Sequence, residues 1–136
     1  MPRFLINKLV RDKLPFSNMI AHNRIIEENA EFVALLKTKL QEEALEVQEA
    51  DTKEALIDEI GDVYEVLDNL IQAEGITWAQ VHEMRLLKKQ RRGGFEGRVF
   101  GVSVDIPVTH PSIKKYREQP HKYPEIHLSA TEDLTR

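Results

Sequence analysis

The chain has 136 residues, with 19 basic and 23 acidic side chains, a net charge of −4, 41% hydrophobic residues and no cysteine. That is enough apolar material for one domain, or one domain with an appendage, and it argues against wholesale disorder. The missing cysteine excludes disulfides, thiolate metal sites and a cysteine nucleophile. The apolar runs are too short to span a bilayer, and the opening MPRFLINKLVRDK is too charged for a signal-peptide core, so a cytoplasmic protein with no membrane partner is expected.

Taken in chain order, residues 4–6 suggest a short strand, and Pro15 suits the first turn of a short helix reaching about His22. A long helix follows. Asn29 is its expected N-cap, Phe32, Val33, Leu36, Leu40, Ala44 and Val47 form its apolar stripe, and it stops near Ala50. Asp51 with Glu54 reads as a capping box opening a second helix, whose stripe is Leu56, Ile60, Val63, Leu67, Leu70 and Ile71 and whose terminator is Gly75. The connection is so short that the two helices must form an antiparallel hairpin. Thr77 and Gln80 make another capping box, with Ile76 able to staple onto Val81, for a third helix reaching Arg92 before Gly93 and Gly94. The alternation Val102, Ser103, Val104, Asp105, Ile106 suggests one short strand, and the proline-rich remainder reads as an irregular tail. The expected class is therefore all-α, with at most short strands. A helical domain over residues 1–101 precedes an irregular extension over 102–136.

Charge is unevenly distributed. Twelve acids lie between Glu42 and Glu74, opposed within that stretch only by Lys53 and just before it by Lys39. Between Arg85 and Arg98 the sign reverses. Among the acids, Glu43 and Glu46 are three residues apart on the first long helix, and Glu59 and Asp62 are three apart on the second, so each pair shares a helix face. At about 100° per residue, with Leu40 at zero, Glu43 falls near about −60° and Glu46 near about −120°. With Val63 at zero, Glu59 falls near about −40° and Asp62 near about −100°. Both pairs thus edge the apolar stripe, Glu59 almost within it. Four carboxylates meeting there would repel by roughly 3 kcal/mol per pair. Proton uptake relieves this, and a hard divalent cation such as Mg²⁺ or Mn²⁺ relieves it better. Glu42 lies near about −160°, away from the stripe; periodicity leaves it open as a support for the ligands, a base reaching from the side, or a solvated acid.

Arg85, Lys88, Lys89 and Arg92 occupy i, i+3, i+4 and i+7 of the third helix, one basic face that suits the outer phosphates of a nucleotide. A basic face near a helix C-terminus is also favoured by the macrodipole alone. Overall acidity and the lack of a nucleic-acid-binding module argue against a nucleic-acid partner. His82-Glu83 fails as a zinc-protease motif because Leu86 stands where the second histidine belongs, and no Walker loop accompanies Gly93, Gly94 and Gly97. His110, His121 and His127 lack ligand-like spacing. Tyr64 and Trp78 suit the core, or the stacking of a base.

The run Glu42-Glu43-Ala44-Leu45-Glu46, then twelve residues, then Glu59-Ile60-Gly61-Asp62 resembles the EExxE…ExxD signature of the MazG-like all-α nucleotide pyrophosphohydrolases. The run from Asn7 to Pro15 (NKLVRDKLP) and Arg92-Gly93-Gly94-Phe95 resemble its phosphoribosyl-ATP pyrophosphohydrolase-like subgroup, and the likeness covers about residues 7–100. The resemblance implies that Glu43, Glu46, Glu59 and Asp62 bind Mg²⁺, that Lys88 and Arg92 contact the triphosphate, and that a homodimer or homotetramer builds a four-helix-like core. The expected activity is nucleoside triphosphate cleavage between the α and β phosphates, releasing a monophosphate and pyrophosphate, with the clearing of modified or surplus nucleotides as its expected use. Glu42 and Glu46 are the candidates for the proton acceptor, and Arg85, Lys89 and the Lys8/Arg11 segment are further phosphate contacts. Phosphoribosyl-ATP hydrolysis and a non-catalytic helical dimer are the alternatives.

Overall fold

The computed structural model describes residues 1–13 and 18–127. The chain divides into two compact units, Met1–Gly93 and Gly94–Arg136. Among the described residues four helices make up the regular structure: α1 (Asn29–Glu49), α2 (Lys53–Ala73), α3 (Trp78–Arg92) and the short α4 (Ile113–Arg117). No strand occurs among the described residues. The alternation over 102–106 and the apolar triplet at 4–6 do not become strands, because a strand needs a partner edge and neither segment meets one. The helix expected from Pro15 falls partly outside the described residues. From Asn18 to His22 the backbone is not helical, and Asn18 itself takes a left-handed φ of 71°.

α1 and α2 form the expected antiparallel hairpin. Each has 21 residues, a rod of about 31 Å. The turn runs through Ala50, in extended backbone, to Thr52, and Thr52 rather than Asp51 caps α2, its hydroxyl accepting from Ala55 N–H at 3.0 Å. At the start of α1 the N-cap is Glu28, not Asn29. Asn29 instead donates from Nδ2 to the Ala73 carbonyl at 2.9 Å, which fastens the beginning of α1 to the end of α2. The Arg24 guanidinium meets both oxygens of Glu31 at 3.1 and 2.7 Å. α2 ends as glycine-terminated helices do: Gly75 takes φ 67°, its N–H bonds the Gln72 carbonyl, and the Ile76 N–H reaches back to Ile71 at 2.9 Å.

α3 opens on the expected capping box, with Gln80 N–H donating to Thr77 Oγ1 at 3.1 Å and Thr77 N–H donating to Gln80 Oε1 at 2.9 Å. It closes at Gly93, φ 78°. Trp78 ties α3 to α2: its indole N–H donates to Asp68 at 2.8 Å and its ring stacks on Tyr64 at 5.2 Å. Neither ring is core, since Trp78 is half-buried and Tyr64 is 60% exposed.

The buried apolar set is Val33 and Leu36 of α1 with Val66 and Ile71 of α2. Among the described residues only α1 and α2 pack extensively against each other. One hairpin covers only one side of each rod. Thus Leu56, Ile60 and Ala44, expected in the stripe, stay exposed, and Ile57 joins them. In the second unit, Tyr116 and Tyr123 pack at 4.5 Å beside a turn whose His110 N–H bonds the Pro107 carbonyl.

Candidate metal centre

Glu43 precedes Asp51 by eight residues and Glu59 follows it by eight, so the antiparallel turn sets them at one level. Glu46 stands one turn nearer the connection and Asp62 one turn farther from it. The fold realises this convergence: Glu43, Glu46, Glu59 and Asp62 each offer a carboxylate oxygen, all within 4.8 Å of one another. Glu43 is the most enclosed, only 5% exposed, and the other three are half-buried. Helical spacing places Glu59 nearest the apolar stripe, yet Glu43 is the more enclosed. Lys39, one helical turn before Glu43, lies against its carboxylate at 3.3 Å.

Oxygens at that spacing repel by roughly 3.5 kcal/mol per charged pair at an effective dielectric near 20. The protein shows the consequences. Burial raises the Glu43 carboxyl above its ordinary range, with Glu46 adding to the effect. Glu46 is raised chiefly by its contact with Glu59. Glu43 Oε2 and Glu59 Oε2 are buried without a hydrogen-bond partner. Two orphaned carboxylate oxygens in an oxygen-only cluster suit a hard cation, which takes oxygen ligands and supplies the missing positive charge. These residues therefore fit the divalent ion implied by the resemblance.

Glu42 belongs to a different environment. It is bonded by Lys8 Nζ at 2.7 Å and by Lys39 Nζ at 3.2 Å, and Lys8 is the main cause of its lowered pKa. Lys39 also reaches Glu43 at 3.3 Å. Arg11 pairs with Asp62 through Nη2 at 2.6 Å. The cations seen to meet Glu42, Glu43 and Asp62 thus come from the N-terminal segment and from α1. Arg85, Lys88 and Arg92 are exposed and form no ion pair with an acid among the described residues. Lys89 lies on the same exposed helix. Sequence spacing could not pair Lys8 or Arg11 with their acids, 34 and 51 residues away. The available signal was the acid excess itself, which needed counter-charge from elsewhere in the chain. A cleft of about 220 Å³ adjoins the cluster at the hairpin end, lined by Glu46, Glu49, Ala50, Asp51, Ala55 and Glu59. No helix among the described residues is long and apolar enough to cross a membrane. Comparisons with protein-family models, with curated proteins and with solved structures each found no match to this chain.

Proposed function

We propose that this protein is a Mg²⁺-dependent nucleoside triphosphate pyrophosphohydrolase of the cytoplasm, cleaving between the α and β phosphates. The carrying observation is the convergence of four carboxylates from two helices, with Glu43 Oε2 and Glu59 Oε2 buried and unpartnered. A cation held by Glu43, Glu46, Glu59 and Asp62 supplies phosphate charge neutralisation and a lowered water pKa. Water adds its oxygen to the α phosphorus, and the bond from that phosphorus to the α,β-bridging oxygen breaks, leaving a monophosphate and pyrophosphate. The proton passes to an acid. Glu46 is the better acceptor, because Glu42 is committed to Lys8 and Lys39. Lys88 and Arg92, with Arg85 and Lys89 beside them, hold the β and γ phosphates. Arg85, Lys88 and Arg92 are exposed and meet no acid among the described residues, which supports an anion-binding role.

The bare apolar side chains Ile57, Ile60 and Tyr64 of α2 are 65%, 51% and 60% exposed, which supports a second copy of the chain packing on this hairpin. The same face also favours the second reading, a non-catalytic helical dimer. Pyrophosphate release across a nucleotide panel that includes phosphoribosyl-ATP, with Mg²⁺ and with a chelator, tests the proposal. Metal-dependent release from at least one nucleotide is expected and its preferred substrate fixes the class. No release from any of them, together with no Mg²⁺ or Mn²⁺ binding, would favour the non-catalytic dimer.

A further inference from the structure

We propose that Lys8 and Arg11 form a charge strap that occupies the acids while the cation is absent and moves onto the substrate's phosphates when it is present. This inference rests on the pyrophosphohydrolase reading. The N-terminal segment has no regular structure of its own. Asn7 takes a left-handed φ of 43°, Leu9 and Val10 are half-buried, and a cation stands on each side of them. The two apolar residues anchor the segment while Lys8 reaches Glu42 and Arg11 reaches Asp62.

The Arg11 contact is poised to be exchanged. It is a single N–H to oxygen bond to Asp62, not a two-pronged one, and the Arg11 side chain is 64% exposed. Exposed pairs of this kind are weak and screened by salt. A cation on the Asp62 carboxylate stands beside the Arg11 guanidinium, and the two like charges repel, so cation binding loosens the Arg11 contact. A loosened guanidinium beside the cluster meets the phosphate oxygens that such a site brings in, and its planar fork grips phosphate with two bonds. Lys8, three residues earlier in the chain and paired with Glu42 beside the cluster, adds a second point charge. The coupling therefore changes sign with ligand. Without phosphate Arg11 and the cation compete, and with phosphate they cooperate.

The test uses Mn²⁺ alone, then Mn²⁺ with inorganic triphosphate, on the full chain. In electron paramagnetic resonance titrations Arg11→Gln is expected to bind Mn²⁺ about two- to fivefold more tightly than wild type, the span an exposed ion pair allows. Calorimetry should show triphosphate binding to the Mn²⁺ form weakened about tenfold or more, partly restored in Arg11→Lys. In turnover KM should rise while kcat changes little, and Lys8→Gln should show a smaller version of both effects. Arg24→Gln, which breaks the remote pair with Glu31, should change nothing. Unchanged or weaker Mn²⁺ binding in Arg11→Gln, or triphosphate affinity equal to wild type, overturns the strap. Failure of the underlying reading looks different, because wild type itself would then release no pyrophosphate.

Discussion

Glu59→Gln separates the cost of the acidic cluster from its use. In wild type without metal, Glu59 holds a buried oxygen with no partner and lies against Glu46, whose carboxyl it pushes up. The ligand oxygens of the cluster lie within 4.8 Å of each other, so each fully charged pair costs roughly 3.5 kcal/mol at an effective dielectric near 20. Partial protonation and the neighbouring cations recover part of this. Replacing Glu59 by the isosteric amide should therefore stabilise the metal-free protein by about 1–3 kcal/mol. A domain of this size shifts its melting temperature by about 4–8 °C per kcal/mol, so a rise of at least about 4 °C in chelator is expected. In Mg²⁺ this advantage should shrink by about 2 kcal/mol, and reverse where the metal-free gain is the smaller. A site bound at a hundredfold excess over Kd gains about 2.7 kcal/mol, most of which the amide forfeits. Scanning calorimetry of both proteins in chelator and in excess Mg²⁺ gives the four temperatures needed. Equal melting in chelator together with no response to Mg²⁺ in either protein would refute the reasoning.

Asp62→Asn should abolish pyrophosphate release while the helical circular dichroism stays unchanged, because the side chain is half-buried and supports no helix end; full turnover would remove Asp62 from the site. The metal-free protein should lose stability as pH rises from the ordinary carboxylate value of 4.5 through the raised values of Glu43 and Glu46. The sign follows from proton counting: over that window the folded state binds more protons than the unfolded one, so removing protons favours unfolding. The lowered Glu42 acts oppositely, losing its contribution only as pH falls below 4.5, and Mg²⁺ should flatten the loss at higher pH. Urea denaturation at stepped pH, with and without Mg²⁺, measures both effects. Gly75→Ala should cost about 1 kcal/mol in the same assay, since a Cβ there meets open space but the backbone stands at φ 67°.

What was legible in the sequence was what depends on near neighbours. The Thr77–Gln80 box, the stop at Gly75 and the hairpin forced by a brief connection are all set within a few residues, and all three appear. The acids at the edges of two stripes were readable by combining helical period with that hairpin. The cap at Thr52 instead of Asp51 is a one-residue choice between two competent side chains, decided by which one lies opposite the Ala55 N–H. The apolar triplet at 4–6 and the alternation at 102–106 are strand-like, but pairing is a property of two segments and one alone cannot show it. The contacts of Lys8 and Arg11 were hidden for the same reason, since nothing local ties an unstructured arm to acids far along the chain. Tyr64 at helical spacing suits a core ring or a stacking one; it stacks on Trp78 but stays 60% exposed, because burial depends on a packing layer that the spacing does not show.

Trp78 is the chain's one tryptophan, and it sits where α2 passes into α3, stacked on a Tyr64 that borders the bare apolar face. Nature has thus installed a single fluorophore at the seam that any self-association on that face must disturb. Its emission wavelength, followed through a dilution series, gives a label-free optical gauge of assembly with no dye attached and no residue replaced.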